Sequence, residues 1–205
     1  MSIARKPLQL ILAAVVIATL SQPLLAKTSA PVATDSAGQT SSGLALNFNG
    51  VRYAHRWSKG TQHEFTPAGQ EDLTKWQDMI TLVPRQDVSD SATLAALAEA
   101  LFKQYQGAGK IIKSESTAPT KDKPAEYLLV ALLPSKGFFE TVFVRIALID
   151  GTGLMAVYSH RNYGESAAED FGSWIKANGA PVEQALMGWN GIPAPASLSR
   201  LPLSP

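Results

Sequence analysis

The sequence predicts an α+β domain, a mostly antiparallel sheet of about five to seven strands with two or three helices packed on it. Three observations lead there. Apolar-alternating runs separated by glycine turns recur along the chain, as in "LALNFNGVRYAHRW" at 44–57. One stretch, 89–106, repeats its apolar residues at helical spacing. The order then runs strands, helix, a series of strands and helices again, which segregates helices from strands.

The chain begins with an expected signal peptide over residues 1–26. Arg5 and Lys6 supply the positive start, Leu10 to Leu20 is apolar apart from Thr19, and Ala26 follows Pro23 as a small residue for the peptidase. The apolar run is short against the roughly 20 residues a spanning helix needs. Cleavage after Ala26 is therefore expected, with no stable membrane span afterwards and a periplasmic or secreted product. Residues 27–43, rich in Ser, Thr, Ala and Gly, form an expected flexible linker. A single domain is expected over 44–191 and an extended, proline-rich tail over 192–205.

Within the domain, Asn49-Gly50 marks a two-residue hairpin turn pairing Phe48 with Val51 and Leu46 with Tyr53. A second turn at Ser58 to Thr61 leads into "QHEFTP". "KWQDMITLV" is a third strand that ends before Pro84, although Trp76, Met79 and Ile80 also suit a helix. Leu94, Leu97, Ala98, Leu101, Phe102 and Tyr105 form one stripe of a helix over 89–106. Ser89, Asp90 or Ser91 can cap its start, and Gly107 or Gly109 its end. Strands follow at 110–117 and 126–133, then a pair flanking Asp150 to Gly153. Ser166 to Glu169 has the letters of a capping box, opening a helix with Phe171, Trp174 and Ile175 on its apolar side. Asn178-Gly179 ends it, and Pro181 restarts a short helix carrying Val182, Leu186 and Trp189.

Composition excludes several chemistries. The signal segment holds two of the 18 basic residues and none of the 17 acidic ones, leaving 16 against 17. That balance recruits no polyanion, so nucleic acid is not an expected partner. The absence of cysteine removes disulfides, a lipoprotein anchor, a thiol nucleophile and thiolate metal ligands. "GTGLMA" at 151–156 matches a dinucleotide fingerprint by letter, but a strand follows it where a helix is needed. "GESAA" at 164–168 resembles a nucleophile elbow, yet no histidine follows His160 to serve Ser166 as base.

Strand parity puts Arg145 on one face with Ala156, Tyr158 and His160. A guanidinium, a phenol and an imidazole together can hold a carboxylate or phosphate, so these three are the candidate ligand-binding residues. Pairing of Arg145 with a carboxylate such as Glu140 is the competing structural explanation. No catalytic residue, metal ligand or cofactor is assigned. His55, His63 and His160 could form a metal or hydrolytic site only if the second hairpin brought them together.

At "EFTPAGQEDLTKWQDMITL", "AVYSHRNYG" and "WIKANG" the chain resembles a group of small exported bacterial proteins without assigned activity, from Phe48 to about Trp189. Its element order also resembles the PsbP-like α/β/α sandwich, whose members are mostly assembly or accessory factors. The first resemblance implies a periplasmic location and the second an accessory role.

The expected function is thus that of an exported, non-enzymatic binding or accessory protein contacting a protein or a small anionic ligand. The alternative is a small hydrolase or metal-dependent enzyme using His160 with His55 or His63. Mass spectrometry of the protein recovered from a bacterial envelope fraction should give Lys27 as the first residue; an intact Met1 would instead mean a retained anchor.

Overall fold

Among the described residues, eight strands pair in one wholly antiparallel sheet of order β1-β2-β3-β4-β8-β7-β6-β5. They are β1 (Ala45–Phe48), β2 (Val51–Lys59), β3 (Gln62–Pro67), β4 (Asp78–Arg85), β5 (Lys110–Ser116), β6 (Tyr127–Ser135), β7 (Phe138–Ile149) and β8 (Thr152–Tyr163). The helices are α1 (Ser91–Ala108), α2 (Ala167–Met187) and the single turn α3 (Pro195–Leu198). This computed structural model describes residues 44–205 apart from residue 122. The expected signal segment 1–26 and linker 27–43 lie outside the described residues. Among the described residues, no helix is long and apolar enough to cross a membrane.

Two hairpins follow directly from local chemistry. Asn49 and Gly50 both adopt positive φ, at 47° and 77°, and Phe48 pairs with Val51 as expected. Asp150 and Gly151 do the same at 50° and 74°, giving β7 and β8 a two-residue turn. Helix α1 starts at a capping box in which the Asp90 side chain accepts from Thr93 N and Thr93 returns the bond. Its end requires Gly109, because a Cβ there would stand 2.1 Å from the Leu132 carbonyl oxygen. The backbone can approach β6 that closely only without a side chain.

Strand count is eight rather than five to seven, because every apolar-alternating segment found a partner in the same sheet. Within "KWQDMITLV" the strand begins only at Asp78, and it continues through Pro84 to Arg85. Pairing of β4 with β3 ends at Leu82, so Pro84 lies where the strand has a free side and needs no donor there. Pro134 in β6 likewise lies past the last residue paired with β5, Leu132. At the outer edge, β5 is mostly exposed and carries Lys110, Lys113 and Glu115, charges that discourage pairing with another chain.

The helices occupy opposite faces. Helix α1 packs on β5, β6 and β7, with Ala95, Ala98 and Phe102 beside Ile146. Helix α2 packs on β7 and β8. Under it lies the main core, including Leu46, Phe48, Phe65, Ile80, Leu82, Phe143, Val182 and Leu186.

Helix α2 departs from expectation twice. It runs unbroken through Gly179 and Pro181 to Met187. An internal proline removes one helical hydrogen bond and costs about 3 kcal/mol. Continuation keeps Val182 and Leu186 in the buried row below Trp174 and Ile175, and that burial outweighs the loss. At the other end Ser166 is the N-cap residue, but its backbone is helical at φ −82°, ψ 0° and its side chain makes no cap bond. Its Oγ donates to Asp170 Oδ2 at 2.7 Å instead.

The tail is not simply extended. Leu198 of α3 is fully buried, and Leu201 packs against the same core. Ser204 donates its N–H to Ser58 O at 2.8 Å, and Ser58 N–H donates to Ser204 Oγ at 3.1 Å.

Candidate functional site

The β7–β8 register pairs Arg145 with Ala156 and places Tyr158 and His160 on the same face, as parity predicts. Their side chains then divide. Arg145 turns toward β6, where its Nε and Nη2 donate to the two Glu126 oxygens at 2.9 and 3.1 Å. Its Nη1 donates to the Leu186 and Trp189 carbonyls at 3.1 and 3.0 Å. Those carbonyls lie at the end of α2, whose last turn holds no basic residue. A helix C-terminus exposes unpaired carbonyls and partial negative charge, and the guanidinium of β7 meets both. Burial alone raises the Glu126 carboxyl, but bonds from Lys123 and Arg145 hold it below its ordinary value. The partner of Arg145 is thus Glu126, not Glu140.

Tyr158 and His160 do come together, on a residue absent from the expected set. The Tyr158 hydroxyl and His160 Nδ1–H both donate to Asp78 Oδ1, at 2.7 and 2.8 Å. Burial pushes Asp78 upward, yet the two hydrogen bonds prevail and keep its carboxyl below the usual range. Burial beside that carboxylate drives the Tyr158 phenol up. Trp174 of α2 covers the pair, its ring 4.0 Å from the imidazole centroid and 8° from parallel. Arg145 and His160 expose only 5% and 4% of their surfaces, so the three expected ligand groups sit beneath a helix rather than around an opening.

His55 and His63 also meet, away from His160. A bulge between His55 and Trp57 shifts the β2–β3 register. Both imidazoles thereby reach Ser58 Oγ, His55 Nε2 at 2.7 Å and His63 Nδ1 at 2.8 Å. Burial lowers both imidazoles from their ordinary value. His63 pairs across β4 with Leu82, opposite Ala156, which is separated from His160 by Tyr158 along β8. The three histidines therefore do not converge. No group of three or more His, Asp or Glu side chains is arranged to hold a metal ion among the described residues.

The opposite face of β8 carries a second ionic cluster. Arg161 stands across from Glu140 in the register, and its Nε donates to Glu140 Oε2 at 2.9 Å. Its guanidinium carbon lies 3.7 Å from the centroid of the Trp76 ring and 4.3 Å from that of Phe138. Burial pushes the Glu140 and Glu64 carboxyls up, against the attraction of Arg161. At the end of β8 this cluster borders an open depression of about 550 Å³ lined by Gln70, Lys75, Trp76, Arg161, Asn162 and Asp170, among others. Sequence reasoning passed over Arg161. Strand alternation alone sets it opposite His160, and the two-residue turn sets it opposite Glu140.

No protein-family model matches the chain, and neither does any curated protein. Among solved structures, it is similar to the Ran-binding protein Mog1p of Saccharomyces cerevisiae, at 13% identity and a TM-score of 0.41 over 66% of this chain and 81% of that one. It is also similar to cyanobacterial PsbP from Synechocystis sp. PCC 6803, at 10% identity and TM-score 0.36 over 75% and 95%. Human STARD10 is similar at 9% identity and TM-score 0.29 over 67% and 74%. The resemblance to PsbP is of this weak, structural kind, and none of the three carries an inference about partner or ligand.

Two outcomes follow from the geometry. Arg145→Met leaves the buried Glu126 carboxylate with only the exposed Lys123 as partner and uncaps α2, so it should lower unfolding free energy in urea by about 3 kcal/mol; a loss within about 0.5 kcal/mol would refute the bridging role. Asp78 has a lowered carboxyl, so its contribution is present above the unfolded value of about 3.9 and is lost as pH falls through the lower folded value. Asp78→Asn should therefore be less stable than the parent at neutral pH and converge on it in acid, as urea midpoints measured across pH will show.

Proposed function

We propose that the chain is an exported, non-enzymatic binding or accessory protein, and that its binding locus for a small anionic ligand is the depression at the end of β8. Export is supported by the N-terminal apolar run with its basic start. The observation that carries the binding reading is the depression itself, lined by Arg161, whose guanidinium packs on the Trp76 and Phe138 rings, and by the exposed Lys75. The other polar clusters are turned inward: Arg145 toward Glu126 and the end of α2, His160 toward Asp78, His55 and His63 toward Ser58. Ser58, His63 and His160 are buried, His160 beneath Trp174, and that burial away from any substrate favours binding over acid–base turnover.

The test is a thermal-denaturation screen of the purified mature protein against small anions, cations and neutral compounds, beside a panel of ester and phosphoester substrates. A bound anion at a hundred times its Kd should add about 2.7 kcal/mol of stability, and substitution of Arg161 should remove the gain. Turnover of any substrate, lost on changing His160, would overturn the reading in favour of a hydrolase.

A further inference from the structure

We infer that His55, Ser58 and His63 form a proton-sensitive latch that holds the C-terminal tail on the edge of β2 and releases it in acid. Ser58 is the joint, because its side chain and its backbone are engaged by different parts of the chain. The hydroxyl lies between two imidazoles, His55 Nε2 at 2.7 Å and His63 Nδ1 at 2.8 Å. The backbone is held by one residue of the tail. Ser204 N–H donates to Ser58 O at 2.8 Å, and Ser58 N–H donates to Ser204 Oγ at 3.1 Å. Strand β1 pairs with this edge of β2 up to Ala54, and the His55 N–H still donates to Leu44 O. At Ser58 the tail supplies the partner that an edge strand otherwise lacks. Ser204 follows Leu198, which is fully buried, and Leu201, which packs on the core, whereas Leu203 beside it is 68% exposed.

The hydroxyl has one proton to give. One imidazole therefore accepts it, and the other donates its own N–H to the oxygen. That arrangement needs both rings neutral. A proton on the accepting ring makes it a second donor, so the Ser58 hydroxyl loses its acceptor. A second proton sets two cations across one oxygen atom. Ser58 and His63 are buried, and the His55 ring packs edge-on to Phe65, so charge here meets little water while the cluster is closed. The carboxylates of the adjoining strands are engaged elsewhere, Glu64 of β3 with Gln62 and Asp78 of β4 with Tyr158 and His160. Strand β1 has no charged residue. Arg52, Arg56 and Lys59 of β2 and Arg85 of β4 are cations, which oppose further positive charge. The tail adds Arg200 and the Pro205 carboxylate, both at exposed residues. Tyr53, on the face of His55, is raised by burial and stays neutral. Burial lowers both imidazoles, and His55 lowers His63 further. With folded values below the unfolded value of about 6.5, the closed cluster stabilises fully above that value and loses its contribution as pH falls toward the lower folded ones. An open state, in which water reaches the rings, takes up protons in that window.

The chain has no cysteine, so Leu203→Cys gives a single thiol at an exposed tail position for a nitroxide label. Electron paramagnetic resonance of the labelled mature protein is then followed as pH falls from neutral, beside near-ultraviolet dichroism. The ratio of mobile to immobile label should rise by up to about tenfold per pH unit for each proton taken up, while the dichroism of the sheet core persists. The same label on a protein carrying His55→Gln and His63→Gln should show no such rise. If that double variant loses its fold, the imidazole resonances of His55 and His63 in the labelled protein replace it. Their midpoints must then lie within about one pH unit of the label's, and a wider separation overturns the latch. A tail that stays immobile in acid while the protein remains folded overturns it too. So does a rise that persists without the two imidazoles, or one that coincides with loss of the near-ultraviolet signal, which would be global unfolding.

Discussion

One guanidinium joins the end of helix α2 to the sheet beneath it. Arg145 stands within β7, buried, and directs its donors to the Glu126 carboxylate just before β6 and to the carbonyls that end α2. A charge so far from water is tolerable only with nearly every donor satisfied. Its partners come from segments distant in sequence, so the ion pair specifies one position for the helix on the sheet. The helix in turn lacks any basic residue in its last turn and receives its positive partner from the strand below.

Pinning that end of α2 determines what happens along the rest of it. Trp174 is laid flat on His160 and nearly parallel to Tyr158, whose ring is 6.4 Å away. Asp78, at the start of β4, gathers the hydroxyl and the imidazole beneath the indole. A polar set that is chemically suggestive in the sequence thereby becomes part of the interior. The same alternation that sends His160 under the helix sends Arg161 to the other face, where it pairs with Glu140. One residue of phase along β8 separates two buried polar clusters, one under α2 and one around Glu140.

Much of this was legible in advance. The Asn49-Gly50 turn, the register it imposes, the parity of β7 and β8 and the cap and stripe of α1 are all short-range, and each came out as expected. Parity also held information that the reading did not use: positions 140 and 145 differ by an odd number, so a straight strand puts Glu140 and Arg145 on opposite faces. Other features had no local signature. The letters of a capping box at Ser166 fail because Ser166 adopts a helical backbone. The bulge that brings His55 and His63 to Ser58 depends on the β2–β3 register.

The sequence by itself determined the α+β class, the turns, the phase of each strand and the lack of thiol chemistry, because these depend on neighbouring residues and on composition. Tertiary structure alone decided that α2 passes through Pro181, that Arg145 serves Glu126 and a helix end, and that Arg161 packs on Trp76 and Phe138 beside Glu140. Each of those is a competition between a modest local preference and the burial of many groups at once. Such a competition is settled only when the distant segments meet.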